Sequence, residues 1–191
     1  MKSQTLKALI PLVAICLAAA LLLGVFNLIT EKPIQENSLR TAMETRRRLM
    51  PKAANFEETT VEPGSGIDSC YLGVDEQGSP VGYVAAATVN GYGGEVVVTL
   101  GMNLSGRLTG LDVGGDNFSE TAGLGALAKE PAFTGQYVEK TLPLTLVKAP
   151  AQADADSVEA ISGATRPSTA VNDGVNHIGA YLLRLMESSQ L

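Results

Sequence analysis

Tryptophan is absent from this chain of 191 residues, histidine occurs once, cysteine twice, and aromatic residues make up only 5%. Each scarcity removes a class of chemistry. A serine hydrolase needs a histidine base. The only histidine, His177, falls beside Asn176 on the polar side of a helical segment, where solvation is the expected state. A zinc or iron–sulfur centre needs several ligands, and Cys70 is the only cysteine outside the apolar N-terminal run that holds Cys16. Cys70 is expected as a small buried apolar residue. Positive charge is not in excess either: 14 Lys and Arg against 20 Asp and Glu give a formal charge of −6. No basic patch interleaved with aromatics occurs, so nucleic acid is not an expected partner.

What is present begins with a long apolar run. Lys2 and Lys7 precede residues 8–29, which carry no charge. About 20 such residues span a bilayer core, and Pro11 and Gly24 are tolerated in membrane helices. The alternative is a cleaved signal peptide, but the apolar stretch is too long and no small-x-small cleavage site follows it. A lipoprotein signal fails because Ile15, before Cys16, is too large. An uncleaved anchor in membrane lipid is therefore expected, and a Cys16–Cys70 disulfide would require a strand to reach into the membrane. Orientation stays open on charge alone. Lys2, Lys7 and the amino terminus favour a cytoplasmic start, whereas Lys32, Arg40, Arg46, Arg47 and Arg48 count against it.

The remaining length suffices for one domain. The expected divisions are residues 1–30, cytoplasmic tip and anchor; 31–66, a membrane-proximal helix and loop; and 67–191, the domain. Residues 35–50 read as a helix, with Leu39, Met43 and Met50 spaced for one face and Pro51 ending it. Arg46-Arg47-Arg48 reads as a solvated or lipid-headgroup face. Residues 57–66 read as a polar loop. Strands are expected over 69–74, 81–89, 95–102 and 108–113. Period-two alternation puts Val81, Tyr83, Ala85, Ala87 and Val89 on one face, and Val96, Val98, Leu100 and Met102 on one face. Asn90-Gly91 signals a hairpin. An antiparallel meander with one covered face follows. Residues 142–148 read as a further strand and 149–157 as a loop. From Pro167, the residues Val171, Val175, Ile178, Leu182 and Leu185 mark an amphipathic helix packed on the sheet. The fold class is α+β.

Chemistry concentrates in Glu159-Ala160-Ile161-Ser162-Gly163-Ala164-Thr165-Arg166-Pro167-Ser168-Thr169. Small residues from Ser162 to Thr165 permit close approach of a ligand. Pro167 suits the first position of a helix, with Thr165 or Arg166 at its entrance. Free N–H groups there, with Arg166, make a seat for a phosphate. Gly123-Leu124-Gly125-Ala126-Leu127-Ala128 fits the G-x-G-x-x-G/A pattern, but no βαβ unit surrounds it, so a Rossmann site is not expected. A glycine-rich turn before a short helix ending near Pro131 is.

Ser162-Gly163-Ala164-Thr165 resembles the flavinylation motif of the FMN-binding domains in Rnf and Na⁺-translocating NADH:quinone reductase complexes. Asn90-Gly91-Tyr92-Gly93-Gly94 and Glu120-Thr121-Ala122-Gly123-Leu124-Gly125 resemble the two other segments typical of these domains, in the same order. The likeness covers roughly residues 40–181. It departs at Glu159, where the family has Asp, at Ala122, where it has Pro, and at Pro167, where it has Ser or Thr, with Ser168 and Thr169 one step late.

The resemblance implies FMN in a phosphoester bond to Thr165, made by a flavin transferase with FAD as donor. The flavin's other contacts would be Ser162, Gly163, Ala164, Tyr92, Gly93, Glu120, Thr121, Gly123, Leu124 and Gly125; the low aromatic content and the absence of Trp, noted above, leave few large stacking partners for it. It also implies a domain outside the cytoplasm and a place as the G subunit of an ion-translocating ferredoxin:NAD⁺ oxidoreductase (Rnf) complex, among other membrane subunits. It implies no catalytic site of the chain's own. A subunit of a related flavinylated system, or a membrane-anchored binding module without flavin, are the alternatives.

Overall fold

Alternation of apolar and polar residues becomes a five-stranded sheet in the order β1-β2-β3-β4-β5. The strands are β1 (Asn55–Glu58), β2 (Ser69–Val74), β3 (Pro80–Asn90), β4 (Glu95–Asn103) and β5 (Leu108–Gly114), every neighbouring pair antiparallel. The computed structural model describes residues 2–115, 118–148 and 156–189, with the side chains of 2–10, 12, 28 and 31–36 outside that description. Residues 116 and 117, and residues 149–155 of the expected loop, also lie outside the described residues.

The chain divides into two units, Met1–Glu44 and Thr45–Leu191. The first is helical. Helix α1 (Lys2–Leu49) is continuous, so the separate helix expected over 35–50 is the last part of a longer one. Within it Ile15 (67%), Leu21 (70%), Leu23 (71%) and Phe26 (63%) are exposed, with no protein cover over their apolar side chains. Among the described residues no helix is long and apolar enough to cross a membrane. The side chains of residues 8–10, 12 and 28, which belong to the expected anchor, lie outside the described residues.

In the second unit one face of the sheet carries the main core. Val96, Val98, Leu100 and Met102 are at most 2% exposed, as their spacing in β4 predicts. They meet helix α3 (Thr165–Ser189), whose Val171, Val175, Ile178 and Leu182 are also buried. Full burial of each such side chain contributes about 1.5–3 kcal/mol. Cys70 lies in the same core, and burial pushes its thiol up to about 11. Tyr137 is fully buried there, its hydroxyl raised well above the ordinary phenol range by burial and then by the charge of Asp173.

The other face is not bare, contrary to the expectation of one covered face. Leu49, Met50, Ala53 and Val84 form a second buried cluster, joined by Phe56 and Val81. Val81 therefore does not share a face with Tyr83, Ala85 and Ala87; beside the register shift between Gly73 and Val74 it packs on the opposite face with the second cluster. Gly73 opposes Gly82, and Gly101 opposes Gly110. A Cβ at Gly73 would lie 2.6 Å from Met50 Sδ, and one at Gly110 would lie 2.9 Å from Leu49 Cδ2. The glycines thus leave a bare backbone surface on which the end of α1 rests. Arg46 stacks its guanidinium 3.5 Å from the centre of the Tyr71 ring, and Arg48 pairs with Asp112. The arginine run is thus not simply a solvated face: two of its members fix the helix end to the sheet, and Arg47 remains exposed.

Gly82→Ala tests this seat. Its Cβ would fall 2.3 Å from the Met102 carbonyl oxygen and 2.7 Å from Met50 Cε. A backbone atom cannot swing aside, so unfolding measurements should show a loss of about 1–3 kcal/mol.

The remaining elements are short. A 3₁₀ helix at Gly125–Lys129, helix α2 (Pro131–Thr134) and a 3₁₀ turn at Gly135–Tyr137 follow β5; the first is the short helix expected to end near Pro131, and Pro131 itself begins the next. Strand β6 (Thr145–Val147) is shorter than expected and pairs in parallel with β7 (Ser157–Glu159), which the loop reading of 149–157 overlooked. β1 likewise replaces part of the loop expected from residue 57. From α3, Asn172 and Asn176 donate to the Leu144 carbonyl at 3.0 and 2.8 Å, and Leu144 N–H donates to Asn176 Oδ1 at 2.8 Å. His177, exposed as expected, also has a partner: its Nε2–H donates to the Ser65 carbonyl at 2.8 Å.

Candidate functional site

Three loops converge at the start of α3. The first, residues 91–94, is the β3–β4 hairpin turn, closed by the Gly91 N–H on the Gly94 carbonyl at 2.8 Å. The second, of which residues 115 and 118–124 are described, leads from β5 into the 3₁₀ helix. There the Thr121 carbonyl accepts the N–H groups of Leu124 and Ala126, each at 3.1 Å. The third, residues 160–164, leads from β7 into α3.

Glu120 clasps the first two loops together. Its Oε1 accepts the Tyr92 N–H at 2.6 Å and the Gly93 N–H at 3.1 Å. Bonds to an ionised acceptor are about twice as strong as neutral ones. The fit leaves no space for side chains. A Cβ at Gly93 would lie 2.0 Å from the Ser119 carbonyl oxygen, and one at Gly125 would lie 2.2 Å from Glu120 Oε2. Oε2 is buried and has no hydrogen-bond partner among the described residues.

The third loop prepares the helix end. Gly163 takes a positive φ of 75°, which glycine adopts without strain. Ala164 N–H bonds the Ile161 carbonyl at 3.0 Å, and the first helical bond runs from Ser168 N–H to the Ala164 carbonyl at 3.1 Å. Helix α3 thus opens at Thr165, and Pro167 is its third residue, not its first. Proline is tolerated there for the same reason: the first N–H groups of a helix have no acceptor within it. The N–H groups of Thr165 and Arg166 have no acceptor among the described residues.

Tyr92, Glu120, Thr121, Leu124, Gly125, Gly163, Ala164 and Thr165 line one cleft of about 450 Å³, together with Arg166 and Pro167. Thr165 and Arg166 are exposed in it. The Arg166 guanidinium lies 5.7 Å from the Tyr92 ring centre. Gly93, Gly123 and Ser162 are exposed but do not line the cleft. Arg166 lies at the cleft as its expected place at the phosphate seat requires, whereas Pro167, expected only as a helix start, also lines it. Ser168, which stands one step after the family's Ser or Thr position, is fully buried with its Oγ hydrogen-bonded on both sides.

The FMN-binding domain family matches residues 91–178, which include all three loops. The sequence is 33% identical over 181 residues to the G subunit of the Na⁺-translocating ferredoxin:NAD⁺ oxidoreductase complex of Acetobacterium woodii, covering 86% of this chain and 85% of that one. It is 32% identical over 181 residues to the G subunit of the ion-translocating oxidoreductase complex of Methanosarcina acetivorans, covering 92% and 93%. The chain belongs to this family of G subunits. Its fold is similar to that of NqrC from Shewanella oneidensis, with a TM-score of 0.52 and 15% identity over 73% of this chain and 74% of that one.

The cleft of this family member suits FMN on physical grounds. A helix N-terminus with open N–H groups, beside an arginine, is a seat for a phosphate. Leu124 and Tyr92, 43% and 67% exposed, offer apolar surface to a ring system. The unpartnered Glu120 Oε2 is an acceptor in the wall. A cleft of this size falls within the range of small-ligand pockets, roughly 300–1,000 Å³.

Proposed function

We propose that this chain is a membrane-anchored flavoprotein subunit with FMN held in a phosphoester bond to Thr165. In this reading it passes electrons within an Rnf-type complex that couples ferredoxin/NAD electron transfer to ion translocation. The observation that carries the reading is the placement of Thr165. It is exposed in the cleft at the first turn of a 25-residue helix, next to Arg166 and facing the two loops clasped by Glu120.

Attachment joins Thr165 Oγ1 to the FMN-side phosphorus of FAD. The pyrophosphate P–O bond breaks, AMP leaves with the bridging oxygen, and the hydroxyl proton is released. A flavin transferase brings FAD to the cleft. The open N–H groups of Thr165 and Arg166, with the guanidinium, hold the phosphate charge, while Leu124 and Tyr92 give the ring an apolar boundary. FMN, when bound, supplies the one- and two-electron chemistry. The chain itself supplies attachment and orientation and has no separate catalytic site.

Residues 8–29 serve as a single membrane span, with the domain on the extracytoplasmic or periplasmic side beside the other membrane subunits of the complex. The charge count that argued against this side weakens, because Arg46 and Arg48 are engaged by Tyr71 and Asp112 of the domain itself. A bond to Thr165 also keeps the cofactor from being lost outside the cytoplasm.

The test has two readouts on chain taken from cells that contain the transferase. In a denaturing gel its band should fluoresce as flavin, and protease added to cells stripped of outer barriers should digest residues beyond Thr30. A dark band contradicts the flavin carrier; protection until lysis contradicts the extracytoplasmic placement.

A further inference from the structure

Resting on the Thr165 reading, we infer that Ser168 is a positioning residue that decides which hydroxyl receives the flavin. The cleft region offers four hydroxyls close in sequence: Ser162, Thr165, Ser168 and Thr169. Ser168 is 0% exposed. Its Oγ donates to the Ala164 carbonyl at 2.9 Å and accepts the Ile161 N–H at 3.0 Å. The Ala164 N–H in turn bonds the Ile161 carbonyl at 3.0 Å. The stretch from Ile161 to Ala164 is thereby stapled onto the first turn of α3. The staple has two consequences. It fixes the backbone immediately before Thr165, so that this hydroxyl stands in the cleft, while Ser162 and Thr169 do not line it. It also commits the Ser168 hydroxyl to internal bonds, which withdraws a competing nucleophile.

Removing the Ser168 oxygen frees the Ile161 N–H and lets the loop shift over the helix start. Thr165 is then presented for a smaller fraction of the time, and attachment slows by that fraction. The exposed Ser162, on the loosened loop, gains access to the cleft. Position 168 thus supplies a hydroxyl for holding the loop rather than for accepting the flavin.

The experiment uses the full chain in detergent, made without transferase and then mixed with purified flavin transferase and FAD. Intact mass gives the rate of attachment, and tandem mass spectrometry of the peptides gives its site. Ser168→Ala should be modified at least tenfold more slowly than wild type, with part of the flavin on Ser162. Ser168→Cys, which keeps a weak donor and acceptor at the same place, should fall between the two. Ile178→Val removes one buried methylene in α3, away from the loop, and controls for lost stability. It should melt earlier but be modified at the wild-type rate and only on Thr165. Wild-type rate and site in Ser168→Ala overturn the inference, as does an equal slowing in Ile178→Val. Failure of the underlying reading shows separately, as a wild-type chain that takes up no flavin on Thr165.

Discussion

Thr165→Val leaves the chain folded and without covalent flavin. Valine keeps the size and branching at Cβ and removes only the oxygen that the phosphoester requires. Thr165 is exposed, and no hydrogen bond of its hydroxyl to a described residue accompanies the fold, so stability should change by no more than about 0.5 kcal/mol. The effect on attachment is all or none. Ser168 cannot substitute, because its oxygen is buried and hydrogen-bonded in both directions. Thr165→Ser keeps the nucleophile and should retain part of the modification. Intact mass reads both variants, and the thermal midpoint confirms the fold. Full attachment in Thr165→Val contradicts the assignment.

Gly93→Val is the second large effect, and it acts through shape rather than chemistry. With a Cβ already 2.0 Å from the Ser119 carbonyl oxygen, the added side chain forces apart two backbones that Glu120 holds together. The Tyr92 and Gly93 N–H groups then lose their carboxylate partner. Overpacking costs about 1–3 kcal/mol, and bonds to a charged acceptor contribute about 1.5–3 kcal/mol. The domain should melt earlier and the cleft should lose its Tyr92 wall, so that covalent flavin falls sharply although Thr165 is unchanged. Glu120→Ala should give the same pattern without the crowding. Glu120→Gln retains a carbonyl acceptor of the same reach and should keep most of the attachment. Near-normal occupancy in Gly93→Val would show that the hairpin loop is not part of the site.

These expectations depend on features that the sequence displays unevenly. The long strands were legible because β4 alternates cleanly from Glu95 to Leu100 and because Asn90-Gly91 marks the turn before it, and α3 because its apolar residues recur at helical spacing; β3, buried on both faces from Gly82 to Ala85, hid the second core. β1 was not, since Asn55–Glu58 is an edge strand mostly exposed on both sides, with no buried face to impose alternation. Charged residues are common on such edges because they discourage pairing with other chains. β6 and β7 are each three residues long, too short for periodicity to register. Gly73, Gly82, Gly101 and Gly110 are silent in any hydrophobic pattern, so the seat they make for Leu49 and Met50 could not be read from it. For the same reason the roles of Arg46 and Arg48 were read from local charge alone.

At the site, the three loops were marked by glycine-rich motifs, and most of the expected residues meet in one cleft. What spacing could not show was the division of labour among them. Glu120 gives one oxygen to the backbone of another loop, and Ser168 turns inward. Both outcomes depend on contacts across the fold, 28 and 7 residues apart, rather than on the residue types.

The central claim is that Thr165 carries FMN through a phosphoester. The most direct measurement is tandem mass spectrometry of the peptide spanning the Ser162–Thr169 region, from chain purified out of cells that contain the transferase. The account predicts a peptide heavier by FMN less one water, with fragment ions that place the added mass on Thr165. Flavin on Ser162, Ser168 or Thr169 would contradict it, and so would an unmodified peptide.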